Sequence, residues 1–256
     1  MRARILGIAA SLVASFPLLA AGAEAPQQGP RPPAAPAPPS YSLSAASTAP
    51  DEVVPLPPDL EEGWYARIDT SMGPFVARLL PDQAPQSVAH FAALAEGRLG
   101  WPDPVSGELR REPYYDGQRV TRALAAQFVE MGERTDVARG TPPYFIAPEG
   151  EGPVNFSAPG RLGMIRSVMN RISGVKFIAT AGTMTSLNYL SPCFGVVVSG
   201  LDVVQRMSEV KTQPSGLPLE PITVKKIRIR KVGNPRPLPD PVPYAPKAVP
   251  LAPRPR

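Results

Sequence analysis

The sequence predicts a mainly β fold, a closed antiparallel β-barrel capped by two helices. Many short runs with strand-like alternation fill the middle of the chain, and only two stretches there have helical periodicity. Proline, 36 residues of 256, is concentrated at the two ends and leaves that middle part free to build a sheet.

The elements follow in order. Trp64 to Thr70 alternates as a strand, Ser71-Met72-Gly73-Pro74 is a tight turn, and Phe75 to Leu80 returns as the second strand of a hairpin. Pro81 to Pro85 breaks it. A helix follows from Gln86 to Glu96, because Val88, Phe91, Ala92 and Ala95 recur on one face and Gly97 closes it. His90 lies on this helix and is expected to be half-exposed. A polar, proline-containing segment from Arg98 to Pro113 precedes a series of short strands at Val120–Leu124, Phe128–Met131, Leu162–Arg166, Lys176–Ala179 and Phe194–Val198. Leu201 to Met207 is the second helix. In the last strand, Ile222 to Val232, the apolar parity switches between Val224 and Ile227, which predicts a bulge or bend.

The ends have a different character. Arg2 and Arg4 precede an apolar run from Ile5 to Ala21 and a small-residue site at Ala21-Gly22-Ala23, with Ala23-Glu24-Ala25 as a second option. That pattern describes a secretory signal peptide over 1–23 and a periplasmic or secreted mature protein, with no membrane span after cleavage. Residues 24–60 and 234–256 are proline-rich arms, expected to be disordered spacers. The folded domain is then 61–233. Cys193, the single cysteine, cannot form an internal disulfide, so an apolar core must supply the stability.

Composition excludes several chemistries. One histidine and one cysteine cannot make a common zinc site or supply a hydrolase triad with its usual surroundings. No glycine-rich phosphate loop opens a helix, and no basic face interleaved with aromatics points to nucleic acid. The expectation is chemistry without metal or cofactor, or simple binding.

The order of motifs adds to this. TSMGPFVARLLPDQAPQSVAHFAALAEG, YYDGQRVTR, GTPPYF, FSAPGRLGMI, VKFIAT, FGVVVSGLDVVQRM and VKKIRIRKV together resemble the cyclophilin-type peptidyl-prolyl isomerases, over residues 65 to 232. The resemblance implies a cyclophilin-like barrel, a monomer, and a groove for proline-containing segments of unfolded or exported proteins. It places Arg122 at the family's catalytic arginine, with Arg119 a rival only if the alignment slips by three residues. Phe177 and Leu187 fall at apolar pocket positions, Phe177 flooring the proline pocket, and Met164 falls in the segment that borders the ligand. Two registers are open after Arg122. One puts Gln127 and Glu130, the other Phe128 and Met131, at the family's Phe and Gln positions.

Several polar positions differ from the family pattern. Val120-Thr121 replaces Phe-His, Ile165-Arg166 stands where small and amide residues are usual, and Val175 replaces a backbone-contacting polar residue. The implied function is a weak or selective isomerase assisting the folding of exported proteins. The alternative is a degenerate proline-peptide-binding or scaffold module.

Overall fold

The computed structural model describes residues 56–103, 106–134, 144–149, 152–166, 171–242 and 244. They fall in one compact unit. The expected signal peptide, most of the expected N-terminal arm and the end of the C-terminal arm lie outside them.

Strands β1 (Gly63–Thr70) and β2 (Gly73–Leu79) form the expected hairpin, in register from Tyr65 opposite Arg78 to Thr70 opposite Gly73. The Thr70 hydroxyl ties the turn, accepting from the Met72 amide at 3.1 Å and donating to the Gly73 carbonyl at 2.6 Å. Helix α1 (Pro85–Ala95) starts on a proline, which suits a first helical position whose amide would have no partner. Its free amides at Gln86 and Ser87 donate instead to the Glu149 carboxylate, at 2.5 and 3.0 Å.

Two short strands, β3 (Trp101–Pro102) and β4 (Leu109–Arg110), make a separate hairpin. Trp101 anchors it, buried against Tyr114 with its indole N–H donating to the Glu112 carbonyl at 3.0 Å. The remaining strands are β5 (Arg122–Leu124), β6 (Phe128–Met131), β7 (Phe145–Ile146), β8 (Arg161–Arg166), β9 (Ile172–Thr180), β10 (Cys193–Ser199) and β11 (Val224–Val232). Helix α2 (Leu201–Ser208) precedes β11 and buries Val203, Val204 and Met207.

The main sheet is antiparallel and curls in the order β11-β1-β2-β10-β8-β9-β6-β5, with β7 pairing β9. No regular ladder joins β5 to β11, so the expected closed barrel is a curled sheet with an irregular seam. The chain ahead of each edge strand bridges that seam: Val120 donates to Ile222, Val224 to Gln118, and Arg119 faces Thr223 in an isolated bridge. Inside lie Phe91, Tyr115, Phe177 and Phe194, whose ring centroids are 5.1 to 6.1 Å apart. The parity switch in the last strand is a bulge. Asp69 faces Lys226 and Thr70 faces Val224, which leaves Lys225 without a counterpart in β1.

Two expectations are corrected. His90 is fully buried rather than half-exposed. The C-terminal arm is not a free spacer from residue 234 on. Through residue 242 it lies against the domain: the Arg236 carbonyl accepts from Trp64 Nε1 at 2.8 Å, Leu238 packs on the core, and the Val242 amide donates to Gln86 Oε1 at 2.7 Å. The physical reason is that proline removes donors but leaves carbonyls, and side chains on α1 and β1 meet the groups that remain. This strap covers His90, whose Nε2 stands 3.4 Å from the Val242 carbonyl.

Candidate active site

The hairpin of β5 and β6 fixes the geometry around Arg122. Arg122 stands opposite Glu130, Ala123 opposite Val129, and Leu124 opposite Phe128. Directly paired residues share a face of the sheet, so Arg122, Leu124, Phe128 and Glu130 lie on one side. Ala123, Val129 and Met131 lie on the other, all buried in the barrel. The three-residue turn holds Ala126 at φ 57, in the left-handed region. Of the two registers left open by sequence, this geometry sets Glu130, not Met131, beside the arginine.

Arg122 is exposed. Its guanidinium carbon sits 5.6 Å from the centroid of the Phe128 ring, a cation–π contact that orients the planar group. Among the described residues no ion pair or hydrogen bond occupies its five N–H donors. On the opposite flank the segment 213–217 packs against the arginine stem, with the Gly216 carbonyl accepting from the Ala123 amide at 2.8 Å.

Arg122 lines a groove of about 520 Å³ together with Thr121, Glu130, Glu133, Ile165, Arg166, Ser173, Lys176 and Ser215. Charge dominates this surface. Lys176 Nζ is 3.3 Å from a Glu133 carboxylate oxygen and 3.9 Å from one of Glu130. Burial pushes the Glu130 carboxyl above its ordinary pKa, and Glu133 adds to that, while Lys176 and Arg122 oppose it. Ser173 Oγ accepts from the amides of Val175 and Lys176 at 3.1 and 2.9 Å and fixes the start of this stretch of β9.

Phe177, Met164 and Leu187 are not on this groove. Phe177 and Met164 pair with each other across β9 and β8, and both are completely buried in the barrel interior. Val175, expected at a peptide-contacting position, is also buried, and its carbonyl accepts from the Tyr115 hydroxyl at 3.0 Å. The side chains of β9 that share the Arg122 face are Lys176, Ile178 and Thr180, with Ile178 paired with both Glu130 and Gly163 and Thr180 with Phe128. The correction is a shift of one residue, which in a strand moves every side chain to the opposite face. The sequence carried a signal for it. Lys176 is the one charged residue in ISGVKFIAT and the only one of the strand not buried, so its face, and not that of Phe177, is the one turned away from the barrel interior. Leu187 is half-buried on a 3-10 turn, Thr185–Leu187, away from the groove. Of the expected site residues, the structure brings together Arg122, Phe128 and Glu130.

Beside the groove is a second cavity of about 270 Å³, between residues 148–149 and 152–156 on one side and the turn 188–193 on the other. Phe156 lies against it, buried on Gly163, where a Cβ would stand 2.5 Å from the phenyl ring. Arg166 crosses from the end of β8 to the turn, its Nε donating to the Leu190 carbonyl at 2.5 Å and its Nη2 standing 3.5 Å from that of Tyr189.

With the order of strands and the place of the arginine established, comparison with known proteins decides the family. The family model described as "Cyclophilin type peptidyl-prolyl cis-trans isomerase/CLD" matches residues 65–229. The chain belongs to this cyclophilin-type family. Among its relatives, peptidyl-prolyl cis-trans isomerase B of Streptomyces anulatus is 29% identical over 171 residues, covering 66% of this chain and 97% of that protein. Peptidyl-prolyl cis-trans isomerase A of Mycobacterium tuberculosis is 28% identical over 166 residues, covering 64% and 91%. The cyclophilin-type isomerase of Cryptosporidium parvum, solved in the presence of the dipeptide Ala-Pro, superimposes with a TM-score of 0.53. That match covers 66% of this chain and 99% of the other at 20% identity, and it bears on the fold alone. Of the departures from the family pattern, Thr121, Ile165 and Arg166 line this groove, while Val120 and Val175 are buried.

Proposed function

We propose that this cyclophilin is a peptidyl-prolyl cis-trans isomerase in which Arg122 drives rotation about the X-Pro bond. The uncatalysed barrier is about 18–20 kcal/mol and comes from amide resonance. Twisting the bond removes that resonance and leaves the prolyl nitrogen pyramidal and more basic. A guanidinium held beside the groove can donate a hydrogen bond to that nitrogen or to an adjacent carbonyl. Because that contact is stronger in the twisted form than in the planar one, it lowers the barrier. The single observation that carries this reading is the state of Arg122: exposed on the groove, oriented by Phe128, with its donors unoccupied among the described residues. No bond breaks, so the chemistry requires no nucleophile.

The substrates proposed are proline-containing segments of exported proteins, met by a monomer in the periplasm or outside the cell. The pattern of residues 1–23 supports that placement. Turnover is expected to be weak or selective, because charged side chains line the groove where Phe177 was expected to seat a proline ring.

One observation favours a second reading. With Phe177 and Met164 in the core, Ile165 is the one apolar residue among the described ones that line the groove, with Phe128 beside it over the guanidinium, as a module that binds peptides without turning them over would tolerate. A proline-limited peptide assay separates the two. The isomerase reading expects catalysis by the full chain that Arg122→Ala removes; peptide binding without catalysis supports the module.

A further inference from the structure

The groove beside Arg122 and the second cavity under the 188–193 turn lie next to each other, and of the described residues Arg166 alone lines both. Its backbone ends β8, and its side chain reaches over to the carbonyls of Leu190 and Tyr189. The guanidinium is therefore the wall between the two spaces. A bidentate, planar group anchored on main-chain carbonyls is a stiff partition, unlike a long side chain left in solvent.

Around Arg122 the lining carries Glu130, Glu133 and Lys176. Beyond Arg166 the apolar side chains of Val154, Phe156 and Pro192 stand beside Gln83, Glu149 and Asn188. The turn that forms its roof is held in an uncommon conformation. Tyr189 has φ 64, in the left-handed region that a bulky residue enters at a cost, and its side chain is 81% exposed.

We propose that Arg166 is a specificity-determining residue, a partition that keeps large apolar side chains next to the proline out of the second cavity. The proposal rests on the groove being the peptide site. A peptide lying beside Arg122 would bring one flanking residue against the Arg166 side chain. With Arg166 in place, only a small flanking residue fits. With it shortened, a phenyl group passes beyond the partition, where Val154, Phe156 and Pro192 offer it apolar contact.

The test measures dissociation constants by calorimetry for the full chain and three short peptides around one proline. One has alanine on both sides, one phenylalanine before the proline, one phenylalanine after it. The natural chain should bind neither phenylalanine peptide more tightly than the alanine peptide. In Arg166→Ala one phenylalanine peptide should gain about tenfold over alanine, the factor expected when one large apolar side chain is buried. Arg166→Gln, which retains an amide for one of the two carbonyls, should show the same direction. Thermal melting of each variant establishes that it is folded. A phenylalanine-to-alanine ratio that is unchanged in both folded variants overturns the proposal, and so does a natural chain that already prefers phenylalanine. Absence of turnover with a shifted ratio would sink the isomerase reading and leave this one standing. Turnover that depends on Arg122 with an unshifted ratio would do the reverse.

Discussion

Gly216 lies so close to Arg122 that a Cβ added there would stand 2.8 Å from the arginine Cγ. Gly216 also has φ 88, a backbone that L side chains rarely adopt. Both constraints bear on the stem of the proposed catalytic group, near its fixed end. Gly216→Ala should cost about 1–2 kcal/mol of stability from the backbone alone. It should also displace Arg122 and lower kcat/KM by roughly 10- to 100-fold, the scale of a small misplacement of a catalytic group. Thermal melting and peptide kinetics on one sample read both effects. A variant with normal kinetics would mean that the arginine is not held by this contact.

Phe177 and Lys176 are adjacent yet belong to different parts of the molecule. Phe177→Ala should cost about 3–5 kcal/mol, as removal of a fully buried ring does, with loss of cooperative folding the measured sign. Lys176→Ala should leave the melting temperature within a few degrees and change peptide affinity instead. The opposite pattern would restore Phe177 to the ligand face.

His90 gives a pH dependence. Desolvation pulls its pKa down to about 4, against the raising effect of the Val242 and Gly174 carbonyls. The folded value lies below the unfolded one, so stability is full above about pH 6.5 and falls as pH drops toward 4. The shift corresponds to roughly 3 kcal/mol lost across that window. Urea unfolding at pH 7 and pH 4 should show the loss in the natural chain, and His90→Gln should reduce it. A parallel loss in both proteins would assign the effect to carboxylates.

Glu130 acts in the other direction. Its pKa is raised, chiefly by burial, so the folded state holds its proton above the ordinary glutamate value. Its ionisation therefore subtracts stability as pH rises through the window between the ordinary and the raised value. Glu130→Gln should gain on the natural chain as pH rises through that window, a difference that melting at pH 4 and pH 7 would reveal. A constant difference would mean that Lys176 offsets the burial completely.

Much of the fold was legible in the sequence for physical reasons. The β1–β2 hairpin, α1, α2 and the bulge at Lys225 each leave a local trace in periodicity, a turn or a parity switch. Closure of the barrel was not legible, because the seam depends on main-chain bonds between residues 117–123 and 216–224, far apart in sequence. The tail strap was hidden for a similar reason: its carbonyls accept from the Trp64 and Gln86 side chains, a contact that composition does not reveal. In the site, motif order pointed to Arg122 but left the register of Phe128 and Glu130 open, and the pairing of β5 with β6 sets both on the arginine's face. Phe177 did not, because matching a run of apolar residues tolerates a slip of one position that the alternation of a strand does not. Gly216 carried no signal at all, since its meaning lies in a contact 94 residues away from it in the chain with Arg122.

The central claim is that Arg122 lowers the barrier to prolyl rotation. The most direct measurement is the rate of cis-to-trans conversion of a proline peptide with the full chain and with Arg122→Ala, at equal concentrations. Conversion should be faster than in buffer with the natural chain, and the catalysed rate should fall by about 100-fold or more in the variant, the scale of removing one transition-state donor. Equal rates for the two proteins, whether fast or no faster than buffer, would contradict it.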